Sequence, residues 1–507
     1  MRKANLRFAM LAMSISLLTA WTLIEQHPGN LTSNRIMTTA DSSKDERDIL
    51  PDILSLNSNP RYAPPSKFRT GHVTETTLKN YLEKTDYGYV VKLPAPTNVP
   101  TPAIVDGRVY VSGGFGSKQY YSFEAFTGRL RWAVNLDDDG PSSPAIQDSV
   151  IVFNTESCTI FACDLITGKQ LWSYWLGDPL MSMPTIAGGI VFTSYPAPFN
   201  KTNNNTSITP THVLIAIELR SGKILWQKWI DSDVMSAPVA KDNLLYVTTF
   251  SGALYKVTQK TGEIIEAKAI RATSAPVFSN LNEVIISQRG DGKSDSILSE
   301  KVTVGFGTVE REVYKKQAEY LDRKVQSTSK LKTASTHMDA GNGFAGGAPS
   351  SANWKAAELN IGQSNVSSLQ SFQGSRSIYK KGRMYNTMGD EVVCLDSTGK
   401  VKWSHKLGGN MKSEGGFMGT PPIYVNGLII VATLTGDVKI FDEKDGKIIK
   451  EYHVKDPIRY QPVADKGWIY LTSVNGRMHA IDTGNPLITG WNMWGGNAAR
   501  TNEAIFH

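Results

Sequence analysis

Short runs of apolar and β-branched residues, rather than apolar residues at helical spacing, dominate the chain, and they come in pairs joined by Thr-Gly. Residues 160–172 show the pattern most completely, with an apolar run, Asp164, the Thr167-Gly168 turn and a second run that ends at Trp172. Because glycine readily takes a positive φ, each copy predicts a β-hairpin. The repeat positions are Gly128 and Trp132, Gly168 and Trp172, Gly222 and Trp226, Gly399 and Trp403, and, without the tryptophan, Gly262, Gly446 and Gly484.

A proline marker precedes each hairpin and gives the period. It is followed by small or β-branched residues, a polar turn and an apolar strand, and its copies begin at Pro102, Pro144, Pro184, Pro238, Pro276, Pro422 and Pro462. Repeats of about forty residues made of short strands are typical of β-propeller blades. One further unit, at residues 376–386, lacks its proline. We therefore predict an all-β fold, a single β-propeller of eight four-stranded blades, with seven as the alternative.

The strand predicted at residues 87–93 stands before the first marker, whereas in the other units such a strand ends its unit. The last unit has no final strand of its own after Gly484. We expect the early strand to pair with the segment just before Gly484 and so to complete the last blade. Such pairing of the two chain ends closes a propeller and removes open sheet edges.

The N-terminus has the layout of a secretory signal. Arg2, Lys3 and Arg7 precede an apolar run from Phe8 to Ile24. Residues 1–26 are therefore predicted to be a signal peptide or, alternatively, a retained N-terminal membrane anchor. Both interpretations place the body of the protein outside the cytoplasm, in the periplasm or at the cell surface.

The remaining boundaries follow from the markers. Residues 27–84 are expected to be a partly disordered linker, residues 85–497 the propeller, and residues 498–507 a C-terminal tail. Inserts are predicted at about 196–211 and 290–353. Apolar residues at helical spacing in residues 309–325 predict one short helical insert that caps a face of the ring, and residues 490–497 are expected to lie across the ring.

Composition excludes some functions. The formal net charge is +7, from 54 Lys and Arg against 47 Asp and Glu, and the basic residues are scattered, so we expect no nucleic-acid partner. Three cysteines do not make a disulfide framework. Cys163 and Cys394 occupy a hairpin position that is apolar in the other copies, which indicates core residues.

The combined repeat, Ala-x-Asp-x-x-Thr-Gly-Lys-x-x-Trp, resembles that of the pyrroloquinoline-quinone-like propeller superfamily. The similarity is best at residues 162–172 and is also good at 216–226 and 393–403. This resemblance implies one of two classes: dehydrogenases that bind the quinone with calcium on the ring axis and use an Asp as base, or non-catalytic envelope propellers that bind partner proteins. The chain is closer to the second class, because it has no vicinal Cys pair and no Cys-x-x-Cys-His haem motif. The recurrent Asp164, Asp396, Asp442 and Asp482 are interpreted as turn caps.

We therefore expect an exported, non-catalytic propeller that serves as a protein-binding or scaffolding module in the cell envelope. Its partner proteins would bind one face, which carries the inserts of the third and fifth blades, and the N-terminal segment could hold it to a membrane. No catalytic or metal residue is assigned, and cofactor-binding residues stay unassigned. The alternative is a dehydrogenase that oxidises an alcohol or sugar with pyrroloquinoline quinone and calcium. A second alternative is a polysaccharide-binding surface that uses Trp491 and Trp494.

Overall fold

The computed structural model describes residues 70–155, 159–176, 182–196, 210–269, 272, 274–278, 284–286, 301–304, 309–312, 377–387, 391–397, 400–409, 418–488, 490–491 and 497–499. Residues 1–26, the predicted signal or anchor, lie outside this part, as does the predicted linker up to residue 69. All secondary structure in the described part is β-strand. It contains no helix long and apolar enough to cross a membrane.

The first half of the chain builds four sheets, each from four consecutive strands. Two early strands, β1 (Val73–Thr76) and β2 (Leu82–Thr85), precede β3 (Gly88–Lys92). Sheet 1 then contains β4 (Ala103–Val105), β5 (Arg108–Ser112), β6 (Gln119–Glu124) and β7 (Leu130–Leu136); sheet 2 contains β8 (Ala145–Gln147), β9 (Val150–Asn154), β10 (Thr159–Asp164) and β11 (Gln170–Trp175); sheet 3 contains β12 (Thr185–Ala187), β13 (Ile190–Pro196), β14 (His212–Glu218) and β15 (Ile224–Ile230); sheet 4 contains β16 (Val239–Lys241), β17 (Leu244–Thr248), β18 (Ala253–Thr258) and β19 (Ile264–Ala269).

The second half repeats this arrangement. Sheet 5 is described by β20 (Val277–Phe278) and β21 (Val284–Ile285), and a separate hairpin by β22 (Lys301–Val304) and β23 (Val309–Glu312). Sheet 6 contains β24 (Ser377–Lys380), β25 (Arg383–Asn386), β26 (Glu391–Asp396) and β27 (Val401–Lys406); sheet 7 contains β28 (Ile423–Val425), β29 (Leu428–Ala432), β30 (Asp437–Asp442) and β31 (Ile448–His453); sheet 8 contains β32 (Val463–Asp465), β33 (Trp468–Thr472) and β34 (Arg477–Asp482), and β35 (Gly490–Trp491) follows.

The sheets form a β-propeller around a central axis. The first strand of a sheet, its inner strand, contacts the inner strand of the next sheet, as β4 contacts β8 and β8 contacts β12. The inner strand of sheet 8, β32, contacts β4 of sheet 1, so the last sheet is adjacent to the first. A ring of sheets that pack only on their neighbours is the defining arrangement of this fold.

The predicted closure of the ring is confirmed. Strand β3 pairs antiparallel with β34, with Tyr89 opposite Ala480 and Val90 opposite His479. It thereby supplies the outer strand that sheet 8 would otherwise lack. Strand β3, near the start of the chain, and strand β34, near its end, thus lie in one sheet.

The segment expected to be a linker contributes two more strands. Strand β1 adds to the outer edge of sheet 1 by pairing with β7, and β2 adds to the outer edge of sheet 8 by pairing with β3. Before β1, the carbonyl of Gly71 accepts hydrogen bonds from Gln170 Nε2 (2.8 Å) and Ser173 Oγ (2.9 Å) of sheet 2. Residues 71–92 therefore connect sheets 2, 1 and 8 along their outer sides.

The predicted helical insert is wrong at its start. Residues 309–312 form β23, which pairs antiparallel with β22, so that Val309 lies opposite Val304. The rest of the predicted helix, residues 313–325, lies outside the described residues. A spacing of apolar residues compatible with a helix was overridden here by pairing with a strand earlier in the chain.

Two faces of the propeller are distinguished by the direction of the strands. We call the connection face the one where each outer strand leads to the next inner strand, as at residues 137–143, 231–238 and 454–462. We call the turn face the one that bears the Thr-Gly hairpin turns, as at residues 164–169. Because consecutive strands in each sheet are antiparallel, the loops between second and third strands also lie on the connection face.

The apolar core lies between the sheets. Side chains from neighbouring sheets form continuous clusters, and the largest of them joins residues of sheets 2, 3 and 4. Cys163 and Cys394 are buried in such layers as free thiols, in agreement with their apolar repeat position. Burial raises the pKa of Cys163 to about 12 and that of Cys394 to about 11, so both thiols stay protonated and unreactive at neutral pH.

Candidate functional site: inter-sheet joints and the connection face

The repeat tryptophans join each sheet to the next on the turn-face side. Each indole N–H donates a hydrogen bond to a backbone carbonyl in the hairpin turn of the following sheet. The bonds run from Trp132 to Leu165 (3.0 Å), Trp172 to Leu219 (2.8 Å), Trp226 to Gln259 (2.7 Å) and Trp403 to Glu443 (3.2 Å). All four side chains are buried, so each supplies apolar area as well as a satisfied polar group.

The repeat glycines lie directly against these rings. At Gly262, φ is +68°, and a Cβ atom would lie 2.5 Å from Cδ2 of Trp226. The same arrangement, with positive φ and an aromatic ring closer than 3 Å to the missing Cβ, occurs at Gly128, Gly168, Gly222 and Gly446. The turn therefore needs glycine both for its backbone conformation and for the space that the neighbouring ring fills.

Two of the repeat glycines are exceptions. Gly399 lies outside the described residues. Gly484 has φ of +67°, but no atom lies within 4 Å of a Cβ placed there. After β34 the chain does not turn back into an outer strand, because β3 already occupies that place in sheet 8.

Tyr89 of sheet 8 and Lys450 of sheet 7 stand where the other sheets carry a repeat tryptophan. The hairpin pattern did not predict either residue. Tyr89 lies opposite Ala480 as Trp172 lies opposite Ala162, and its hydroxyl donates to the carbonyl of Ala125. Lys450 Nζ lies 3.5 Å from the carbonyl of Thr483. A sequence signal exists only for Tyr89, which stands in the strand predicted to close the ring.

A second set of joints lies on the connection face, nearer the axis. A polar residue at the end of the second strand donates to a carbonyl in the segment that leads to the next sheet. The donors and acceptors are Ser112 and Pro141, Asn154 and Ser182, Thr248 and Ser274 (2.9 Å), and Thr472 and Pro100 (3.1 Å). Each donor stands ten residues after its marker proline, so this signal was present in the sequence and was missed.

Buried carboxylates on the connection face belong to these joints. Asp231, in the segment from sheet 3 to sheet 4, is 6% exposed. Its carboxylate accepts from Tyr255 (3.0 Å), Thr249 (3.1 Å) and Ser251 of sheet 4. Burial raises the pKa of Asp231 to about 6, against the lowering effect of the hydroxyl donors. The group holds the turn of sheet 4 by hydrogen bonds from neutral donors.

Asp456 is the equivalent residue between sheets 7 and 8, and its partners include the charged Arg477. Arg477 Nη1 donates to both carboxylate oxygens, at 2.8 and 3.0 Å, and Asn475 Nδ2 donates at 3.0 Å. His479 Nε2 lies 2.9 Å from Oδ2, and Tyr87 OH lies 3.0 Å from Nδ1 of the same ring. Burial would raise the pKa of Asp456, but the bonds from His479, Asn475 and Arg477 hold it well below its usual range.

These groups form structural joints rather than an open reaction centre. The carboxylates of Asp231 and Asp456 accept hydrogen bonds from residues of the adjoining sheet. Within the described residues, no group of three or more His, Cys, Asp or Glu side chains could hold a metal ion. The arrangement is suited to fixing the loops of the connection face in place.

The described residues after sheet 8 contact inner strands of the ring, and residues 492–496 of the segment expected to lie across the ring are outside the described part. Strand β35 pairs with β28 of sheet 7, with Trp491 opposite Tyr424. Further on, the carbonyls of Ala498 and Ala499 accept hydrogen bonds from the amides of Ile146 (2.7 Å) and Ile186 (3.0 Å). Trp494 lies outside the described residues.

The repeats match a known family. The family model described as outer membrane protein assembly factor BamB (PQQ_2) matches residues 91–191, 187–289 and 345–456. The assembly factor of that name from Yersinia pestis is 21% identical over 218 residues, which cover 38% of this chain and 52% of that protein. This chain therefore spans about half the length of that relative.

One further relative and one structural neighbour are enzymes by name. Tetrathionate hydrolase of Acidithiobacillus ferrooxidans is 20% identical over 381 residues, which cover 71% of this chain and 67% of that protein. The crystal structure of quinohemoprotein alcohol dehydrogenase from Comamonas testosteroni has a TM-score of 0.51 and 11% identity, and the alignment covers 80% of this chain and 77% of that one. At such identity, the structural likeness shows the fold alone.

Proposed function

The chain belongs to the PQQ_2 repeat family, described as outer membrane protein assembly factor BamB, and from this membership we propose that it is an exported protein-binding scaffold of the cell envelope. We further propose eight blades, with β20 and β21 as the inner pair of the fifth. The partner would be an envelope protein that binds the connection face. Location in the envelope is supported by the basic and apolar pattern of residues 1–24 and by the outer-membrane role in the relative's name.

The observation that carries the proposal is the position of the insert in sheet 3. Pro196 and His212 form the last pair of the β13–β14 ladder, so the intervening residues leave and return at one point of the connection face. Thr211 fixes the returning strand by donating to the carbonyl of Asp231 (2.8 Å). A variable loop on a rigid scaffold is the usual place for binding.

The scaffold role is tested by shortening that loop. Residues 198–210 are replaced by Asn-Gly, a two-residue turn that keeps the Pro196–His212 pair and Thr211 in place. In-cell cross-linking followed by mass spectrometry should then show loss of the captured envelope protein, while the unfolding midpoint stays unchanged. Ile166→Ser, on the exposed turn face, is the matched control and should retain the partner. Equal capture by both variants would contradict the proposed surface.

The insert of sheet 5 requires a deletion with different bounds. Deleting only residues 310–330 would remove most of β23 and leave β22 without its partner strand. Removing residues 299–330 takes out the whole hairpin, together with the contact that β22 makes with β21. If both inserts contribute to binding, each deletion should weaken capture, and the double deletion should abolish it.

The dehydrogenase alternative requires a quinone and calcium on the ring axis, and the described residues do not fit that pair of ligands. They provide no cluster of three acidic, His or Cys side chains for the cation. The inner edges of β8 and β12 already carry the chain's own Ala498 and Ala499 carbonyls. An absorbance titration with pyrroloquinoline quinone and calcium tests the alternative directly, since a stoichiometric chromophore would favour the enzyme.

The polysaccharide alternative depends on Trp491 and Trp494. The backbone of Trp491 is engaged in β35, so its segment has a structural role in the ring. Loss of glycan binding in Trp494→Ala, with unchanged stability, would support this alternative. Unchanged or absent binding would remove it.

A further inference from the structure

The described residues that follow sheet 8, 490–491 and 498–499, bind three inner strands by their backbones. Gly490 and Trp491 pair with Val425 and Tyr424 of β28 in sheet 7. The Ala498 and Ala499 carbonyls accept from β8 of sheet 2 and from β12 of sheet 3. Residues close together in sequence therefore contact sheet 7, which lies next to the closure, and also sheets 2 and 3.

Inner strands of a propeller have a free edge, because each one pairs only with the second strand of its own sheet. On β8 and β12, amides of this edge point at the axis and require a partner or water. The amides of Ile146 and Ile186 find that partner in the carbonyls of Ala498 and Ala499. Both inner strands belong to the buried core, so a lost bond would not be replaced without some opening of the ring.

The side chains of residues 498 and 499 are small where they touch the core. Ala498 packs against the cluster shared by sheets 8 and 1 and against the one shared by sheets 1 and 2. Ala499 packs against the cluster of sheets 2 to 4. A methyl group lets the backbone approach the inner strands closely, and a longer side chain at either position would meet the core.

We propose that the axial edges of β28, β8 and β12 form a binding site for an extended peptide with small side chains where it meets β8 and β12, and that residues 490–491 and 498–499 of this chain occupy it. Recognition is by backbone hydrogen bonds, as in the addition of a strand to a sheet edge. Side-chain size sets the specificity. The site is separate from the connection face and does not depend on the scaffold role.

The test keeps the full chain and cuts it once. A protease site is inserted after Leu487, which is 63% exposed and lies outside the strands. After cleavage at about 10 µM protein, the fragment that begins at residue 488 should stay with the ring in gel filtration, and a labelled synthetic peptide of residues 488–507 should exchange into the site. Release of the fragment from a folded ring would overturn the proposal.

A double variant and a hydrogen-exchange measurement accompany the cleavage experiment. In Ala498→Asp/Ala499→Asp the cleaved fragment should dissociate, and the Ile146 and Ile186 amides should exchange hydrogen more than about tenfold faster. The Ile160 amide, within the β9–β10–β11 ladders, is the control and should not change. If the double variant does not fold, Ala498→Leu must weaken retention of the fragment at least tenfold. Equal retention or unchanged exchange would overturn the proposal.

Discussion

The hydroxyl of Tyr89 donates a hydrogen bond to the carbonyl of Ala125, and this bond joins the last sheet of the propeller to the first. Tyr89 comes from β3, the strand that closes the ring. Its ring also lies 2.7 Å from the position that a Cβ would take at Gly128. A tyrosine thus makes at the closure the contacts that the repeat tryptophans make elsewhere.

The carbonyl of Ala125 accepts a second hydrogen bond. We therefore expect the losses of stability on removing its two donors to be non-additive. Tyr470 OH lies 2.9 Å from the oxygen of Ala125. Tyr89→Phe or Tyr470→Phe leaves one donor, so each should lower the free energy of unfolding by about 1 kcal/mol. The double variant leaves a buried carbonyl without either donor and should lose about 1 kcal/mol more than the sum. Urea unfolding of the four proteins measures the coupling, and strict additivity would contradict it.

Removal of a joint tryptophan should destabilise the ring strongly. Trp226→Ala deletes a buried ring and its bond to the carbonyl of Gln259, so we expect a loss of about 3–5 kcal/mol. Leu225→Ala, one residue earlier and 40% exposed, is the control and should cost less than about 1 kcal/mol. Chemical denaturation followed by fluorescence gives both values. Similar losses in the two variants would show that Trp226 is not a joint.

Gly262 should tolerate no side chain, for two separable reasons. Gly262→Ala places a methyl group against Trp226 and also strains a residue at φ of +68°, for a total of about 2–4 kcal/mol. Gly188→Ala is the matched control, because φ is +56° and no atom lies within 4 Å of its Cβ position. It should cost about 1 kcal/mol. The difference between their unfolding free energies measures the steric part, and a difference near zero would contradict the contact.

Asp231 should make stability fall as pH rises. Its pKa is about 6 in the folded protein, against about 3.9 in an unfolded chain. Between these values the folded state binds more protons, so the free energy of unfolding decreases from about pH 4 to pH 6 by up to about 3 kcal/mol. Asp231→Asn should remove this slope.

Asp456 provides the control for that experiment. Its pKa is lowered, so its stabilising contribution is present above the unfolded pKa and is lost only at lower pH. Asp456→Asn should therefore keep the slope between pH 4 and 6. Thermal unfolding across this range compares the proteins, and an unchanged slope in Asp231→Asn would show that another group titrates.

Much of the fold follows from local pattern. The Thr-Gly turns and marker prolines located the hairpins, and the displaced strand at residues 87–93 located the closure. These features are short-range, because turn chemistry and strand alternation are encoded within a few residues. The strand β23 was missed, since four residues of mixed character take their conformation from β22.

The candidate site was harder to predict, because burial depends on neighbours distant in sequence. Asp231 follows a strand and has the sequence context of a surface turn, yet sheet 4 covers it. Tyr89 was identified as a strand residue but not as a substitute for tryptophan, since its partner is in another sheet. The polar residue ten positions after five of the seven marker prolines could have been found, because it recurs with the repeat.

The order of synthesis has a consequence for how this ring matures. Tyr87 and His479, which meet at the closure, are 392 positions apart in the chain. A ribosome completes the closing strand early, and its partner emerges only after the intervening sheets have been made. Until then the nascent chain presents unpaired edges at both of its ends, so a chaperone that shields β3 should increase the yield of correctly assembled protein.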